Sequence, residues 1–299
     1  FSIDHVARSP AEMDELIERG AVQFAITIPG DFTRRVVRRD SPQILVEADA
    51  SDPAAVGNAV AALNLVTNAL NRDLGGTLSE LKAAPPPVEV RVHRRYNPEG
   101  VTAYNIVPGL IGTILTMTMV LMTGLAMTRE RERGTFENLL ATPAAPIEVM
   151  TGKIVPYILI GLIQVTLIIG CALLLFEVPM QGSALLLYFV VLMFIAANLT
   201  LGITFSSIAR NQLQAMQMTF FFFLPSILLS GFMFPFRGMP EWAQWLGSLL
   251  PLTHFLVLVR GIMLKGNQLH ELWPQIWPIL AFMLAVIAIG LRFYKRTLD

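Results

Sequence analysis

TRERERGTFENLLATPAAP, residues 128–146, stands between two apolar runs, 106–127 and 154–176. At 1.5 Å per residue, about 20 helical residues cross a hydrocarbon core of ~30 Å, and both runs are long enough. Five alternating charges from Arg129 to Arg133 cannot lie in that core, so the chain leaves the membrane here. Inside the stretch, Thr135 can cap a short helix with Phe136, Leu139 and Leu140 on one stripe and Glu137 in its first turn. Pro143 ends it. Spacing leaves two readings open: an interfacial helix that anchors the loop to an anionic leaflet, or a rigid knob offered to a soluble partner.

Working outward, three more runs, 184–205, 216–235 and 276–291, join the two flanks. The expected transmembrane helices are about 104–127, 154–176, 184–205, 216–235 and 275–293. Composition agrees: 54% of the 299 residues are hydrophobic and 15% charged, the balance of a membrane protein. Basic residues set the orientation. Arg129, Arg131, Arg133 and Lys153 lie in loop 128–153, Arg210 in 206–215, and Arg292, Lys295 and Arg296 at the C-terminus, whereas 177–183 has no lysine or arginine. Five crossings put every basic loop in the cytoplasm. A sixth crossing through 242–264 would carry the basic tail outside, so 238–265, with Trp242 and Trp245, is expected to be an outer re-entrant or interfacial hairpin.

The charges are unevenly shared. Residues 1–103 hold 25 of the 44 charged side chains. Residues 1–102 therefore read as an external, periplasmic α+β domain preceding a transmembrane domain at 103–299. Ser9-Pro10-Ala11-Glu12 is a capping box opening a helix that Gly20 stops. Val22, Phe24, Ile26 and Ile28 alternate with Gln23, Ala25 and Thr27, which predicts a strand buried on the isoleucine face. A basic helix at 32–39, a strand at 43–48, a helix from Asp52-Pro53 to about Leu81 and a strand at 88–93 follow. An external N-terminal domain implies an additional helix upstream of Phe1, making six with both ends cytoplasmic.

Several function classes lose support. Net charge is zero, and Arg34, Arg35, Arg38 and Arg39 are interleaved with no aromatic platform, so nucleic acid is set aside. Gly152-Lys153 has Ile147 and Ile154 where a phosphate-binding loop needs glycine and serine or threonine, so ATP hydrolysis is not expected on this chain. The four histidines lack metal-ligand spacing, no GxSxG occurs, and the lone Cys171 lies in an apolar run. No catalytic, metal or cofactor site is expected.

The strings RERERGTFENLLATPAAPIEVMTGKIVPYILIGLIQ (129–164) and LLSGFMFPFRGMPEWAQWLGSLLPLTHFLVLVRGIMLKG (228–266), with AVQFAITIPGDF (21–32), closely resemble permease subunits of type-2 ABC exporters. Within them the chain looks like the bacterial multidrug-efflux-like subgroup, which has a large external domain between its first two helices. The resemblance implies an inner-membrane permease whose ATP and Mg sit on a separate ABC ATPase. It implies pairing with a second permease copy or paralogue, contact with membrane lipid, and a periplasmic adaptor as a further candidate partner. ATPase coupling would fall on Glu130, Glu132, Arg133, Gly134, Thr135, Glu137, Leu139, Leu140, Thr142 and Pro143. The outer re-entrant region would be marked by Pro240, Trp242, Pro251, Leu252 and Arg260.

Polar residues in the apolar runs, Gln164, Asn198 and Gln217, together with Gln214 nearby, are candidate pathway contacts or interhelical hydrogen-bonding groups. The expected cargo is hydrophobic or amphipathic, drugs included. A lipid or glycan conjugate is the alternative, and a membrane sensor with an external ligand-binding domain is a third. The sensor is disfavoured by the short tail after Leu291, and a secondary transporter by the scarcity of charge between 154 and 235, where only Glu177 and Arg210 occur.

Overall fold

The computed structural model describes residues 3, 5–38, 40–75, 88–133 and 146–294. The chain divides into two units, Phe1–Asn105 and Ile106–Asp299.

In the first unit, α1 (Pro10–Glu18) starts as its capping residues require. The Ser9 hydroxyl accepts from the Glu12 amide at 3.2 Å, and the Glu12 carboxylate accepts from the Arg8 amide at 2.8 Å. A sheet follows from β1 (Phe24–Thr27), β2 (Gln43–Asp49) and β3 (Glu89–Arg95), in that spatial order, with α2 (Phe32–Arg38) between β1 and β2. β1 runs antiparallel to β2 with Ile26 opposite Val46, and β3 runs parallel to β2 with Val92 opposite Val46. The parallel crossover is α3 (Pro53–Gly75), opened by Asp52, whose carboxylate accepts from the amides of Ala54 and Ala55. Asn71 near its end ties it to the sheet: its amide donates to the Val88 carbonyl and accepts from the Val88 amide. The expected continuation of this helix to Leu81 lies outside the described residues.

The expected isoleucine face of β1 is corrected. Ile26 and Ile28 are exposed, whereas Ala25 is buried. The cause is that cover reaches only the first half of a short edge strand. Phe24 packs with Val56 and Val60 of α3 against Ala48 and Ala50, while Thr27, on Ala25's face, donates to the Met13 sulfur of α1.

The second unit is helical: α4 (Ala103–Glu132), α5 (Pro146–Leu175), α6 (Ala184–Ile208), α7 (Gln212–Leu229), α8 (Glu241–Ser248), α9 (Pro251–Arg260) and α10 (Leu269–Tyr294). The five long helices correspond to the five apolar runs; α4 and α5 overshoot theirs into charged residues, because Arg, Glu and Lys are good helix formers once the chain has left hydrocarbon, whereas the helix expected to reach 235 stops at Leu229, where Ser230 caps it and Gly231 turns the chain at φ 86°. A sixth helix, α3, is also long and apolar enough to cross a membrane. It belongs instead to the first unit, where Val56 and Asn71 bind it to the sheet.

α6 is central. Half of its apolar window is buried, as is half of that of α4, against about a fifth for α5, α7 and α10. Small residues allow close approach: a Cβ on Gly202 of α6 would sit 2.8 Å from the Val120 carbonyl oxygen of α4. Val120, Leu201 and Val286 form a buried cluster with Phe205, Phe222 and Phe282, joining α4, α6, α7 and α10. Hydroxyls within the bundle are satisfied locally, as where Thr116, Thr123 and Thr128 each donate to the carbonyl four residues back. Outward faces stay apolar, with Ile163 and Leu167 on α5, Phe221 on α7 and Leu284 on α10 exposed, as suits lipid contact.

Candidate functional site

Three groups of side chains named by the sequence fall at two ends and the middle of the bundle. At the first end, α4 continues through the alternating charges to Glu132. The Glu132 carboxylate accepts twice from Gln212, the first residue of α7: from its backbone amide at 2.7 Å and its side-chain amide at 2.5 Å. The side-chain bond and then the backbone bond hold the Glu132 carboxyl below the usual carboxylate range. Around it the α7 N-terminus is capped by side chains. Asn211 accepts from the Gln214 amide at 2.8 Å, and the Gln214 side chain accepts from the Arg210 amide at 2.8 Å.

Glu130, with Ala126 and Met127 of α4 and Pro156 and Tyr157 of α5, lines a cleft of about 210 Å³. The Arg133 amide closes the last turn on the Arg129 carbonyl. Gly134, Thr135, Glu137, Leu139, Leu140, Thr142 and Pro143 lie outside the described residues.

At the opposite end, α8 and α9 meet at 84°, the geometry of a broken span or a re-entrant loop. Pro240 caps α8 and Pro251 opens α9, each placed where a missing amide costs nothing. Trp242 points outward, two thirds exposed at 66%, while Leu252 is fully buried. The corner is tied twice: Thr253 donates to the Gly247 carbonyl at 2.6 Å, and His254 Nε2 meets the Ser248 carbonyl at 2.8 Å. His254 Nδ1 reaches Gln275 of α10 at 2.7 Å, so one imidazole joins three helices. Leu252 and Phe255 pack on Gly112 of α4, and Phe255 stacks on Phe194 of α6 with centroids 3.9 Å apart. The Arg260 guanidinium approaches α4 at Gly109, beside the Phe232 ring. α9 then widens into a π turn, Gly261–Lys265, where Met263 accepts from the Gln181 amide at 2.9 Å. Residues 177–183 thus share this end with the bent pair.

Between the ends, the three pathway candidates lie on different helices, and among the described residues no hydrogen bond joins them. Gln164 of α5 accepts from Thr118 of α4 at 2.9 Å, an interhelical bond. Asn198 of α6 is buried and donates to the Phe194 carbonyl at 2.9 Å, leaving its side-chain oxygen without a hydrogen-bond partner. Gln217 of α7 is exposed.

Sequence reasoning missed Gln212 and the His254–Gln275 bridge. Asn211 followed by Gln214 is a legible capping pattern that puts Gln212 first in α7, but nothing in spacing points from there to Glu132, 80 residues away.

The family model described as ABC-2 family transporter protein matches residues 1–292. The chain is an ABC-2 family transporter permease. It is 28% identical over 289 residues to the probable multidrug ABC transporter permease YbhR of Escherichia coli K12, covering 97% of this chain and 77% of that one. It is 31% identical over 301 residues to the E. coli K12 inner membrane transport permease YhhJ, covering 96% and 76%. A more distant likeness, 25% over 216 residues, links 72% of the permease to 29% of ABC transporter G family member 20 of Dictyostelium discoideum. The permease is a multi-pass inner-membrane protein, and its family implies an ABC ATPase partner and dimeric assembly.

Proposed function

We propose that the permease forms the transmembrane pathway of an ATP-driven exporter of hydrophobic or amphipathic compounds, drugs among them, with ATP and Mg bound on a separate ATPase subunit. The observation that carries this is identity of 28% and 30% to two E. coli proteins named as probable multidrug permeases, across 97% and 96% of the chain. The bundle's two ends support a direction for it. Glu132 and Gln212 bring the first basic loop and the Arg210 loop together, and Gln181 and Met263 bring the uncharged 177–183 segment to the bent pair. The positive-inside bias then makes the first end cytoplasmic, the bent pair an outer re-entrant region, and the N-terminal unit external. The ATPase docks on the segment from Glu130 through Pro143, and two permease copies enclose the pathway. ATP binding biases a bistable assembly through that contact.

The test is reconstitution with the partner ATPase in proteoliposomes. Wild-type complex is expected to move a fluorescent lipophilic drug in an ATP-dependent way. Glu137→Lys is expected to keep basal ATP hydrolysis and lose transport. ATP-independent movement, or wild-type coupling in Glu137→Lys, would overturn the reading.

A further inference from the structure

The geometry points to Glu132 as a positioning residue: its carboxylate clasps the N-terminus of α7 and hands displacement of the cytoplasmic loop to that helix, and through it to the bent α8–α9 pair. This rests on the reading of the permease as an ATP-driven exporter and adds to it the route by which the loop moves the outer end.

Glu132 ends α4, inside the segment proposed to meet the ATPase. Its carboxylate does not face solvent alone. Both oxygens are taken by Gln212, one by the backbone amide and one by the side-chain amide. The backbone bond matters most for mechanics, because the first amides of a helix have no partner within it and here one of them is held by another helix. The helix dipole adds to the hold: a negative charge at an N-terminus is attracted to it, so charge and geometry act together. No other hydrogen bond or ion pair of Glu132 competes for the carboxylate among the described residues.

The far end of α7 is equally fixed. Gly247 of α8 sits so close that a Cβ there would come within 2.4 Å of the Leu229 carbonyl oxygen, and Phe232, just beyond α7, presses on Gly109 of α4. α7 has 18 residues and spans about 27 Å, with Pro225 interrupting its hydrogen-bond ladder near the far end, and it is held at one end by Glu132 and at the other by the bent pair. Its sides grip less: most of its apolar window is unburied and its buried residues, Ala215, Thr219 and Ser226, are small, while Phe222 against Phe205 and Phe282 is a lateral pivot about which the helix can tilt. A helix clasped at both ends and held between them mainly at one pivot transmits motion. Coupling carried this way is physical contact, with a named two-bond link at its start.

The experiment measures compound transported per ATP hydrolysed, with the partner ATPase in proteoliposomes, for wild type, Glu132→Ala, Gln212→Ala, the double variant and the exchanged pair Glu132→Gln/Gln212→Glu. Glu132→Ala is expected to lower that ratio about 10-fold, which equals about 1.4 kcal/mol of coupling; Gln212→Ala, which keeps the backbone amide bond and lies outside the docking segment, should lower it less, with basal hydrolysis and ATPase binding unchanged. The double variant should be no worse than the poorer single, and the exchanged pair should recover most of the ratio because donor and acceptor are swapped across the same gap. Hydrogen exchange of the first turn of α7, residues 212–215, should quicken in Glu132→Ala in the permease with its ATPase bound, whatever compound is supplied. Wild-type ratios in both single variants, multiplying losses in the double variant, or unchanged exchange at residues 212–215 would overturn the clasp. A wild-type complex that hydrolyses ATP but transports nothing would sink the exporter reading instead, and the exchange measurement would still decide the clasp.

Discussion

At the scale of the residue, Glu132 shows how a surface carboxylate acquires a structural task without burial. Hydrogen bonds from Gln212 stabilise its charged form, so its folded value lies below the ordinary one near 4.5. A depressed carboxylate contributes stability that is fully present above its unfolded value and disappears as pH falls through its folded value. The clasp is therefore intact at neutral pH and opens only below the usual carboxylate range. Carbon-13 NMR of the Glu132 carboxyl is expected to give a midpoint below that of exposed glutamates, moving back up in Gln212→Ala. A midpoint unmoved by that substitution would mean that Gln212 is not the cause. Glu132 itself was legible as part of a charged loop, but its partner was not. A hydrogen bond between residues 80 apart leaves no local trace, since each side chain is an ordinary polar residue within its own segment.

At the scale of the element, the long helices were readable because one physical quantity, the free energy of apolar side chains in hydrocarbon, dominates over twenty consecutive residues. Ends were less readable. α5 begins at Pro146, eight residues before its apolar run, and α4 ends at Glu132, five after its own, because helix propensity and not hydropathy sets those boundaries. β1 misled for a related reason: Phe24 and Ala25 are covered while Ile26 and Thr27 are exposed, and apolar alternation does not show how far along a short edge strand the cover reaches. How helices meet was not readable at all, because Gly202 and Gly170 look alike in a hydropathy profile. The structure separates them. A Cβ on Gly202 would lie 2.8 Å from the Val120 carbonyl oxygen and 2.9 Å from the Thr123 Cβ, whereas nothing lies within 4 Å of one on Gly170. Gly202→Ala is expected to destabilise the bundle by about 1–3 kcal/mol through overpacking. Gly170→Ala should be neutral or gain up to about 1 kcal/mol from helix propensity. Thermal unfolding in detergent checks the pair, and equal melting temperatures would refute close α4–α6 contact at Gly202.

At the scale of the whole molecule, the uneven placement of charge and the structural division have one cause. A chain cannot bury 25 charges in hydrocarbon, so the segment that carries them must build its own solvated fold, and the division falls between Asn105 and Ile106. That fold has the parts a small domain needs. Ile17, Val46 and Val56 are buried, Arg95 of β3 pairs with Asp14 of α1 at 2.5 Å, and Asn97 closes the segment after the sheet by bonding both the amide and the carbonyl of Val101. The core is small, however, with alanines at its centre, so stability should sit at the low end of the 0.05–0.15 kcal/mol per residue typical of domains, or about 5 kcal/mol for some 100 residues. A soluble fragment of residues 5–102 is expected to unfold cooperatively in urea by circular dichroism. Ending it at residue 95 removes Asn97 and Val101 and should lower the midpoint, since the strand that carries Arg95 then becomes the chain end. A fragment of 5–102 without a cooperative transition would show that the first unit depends on the membrane bundle for its fold, and that the charges alone do not define a domain.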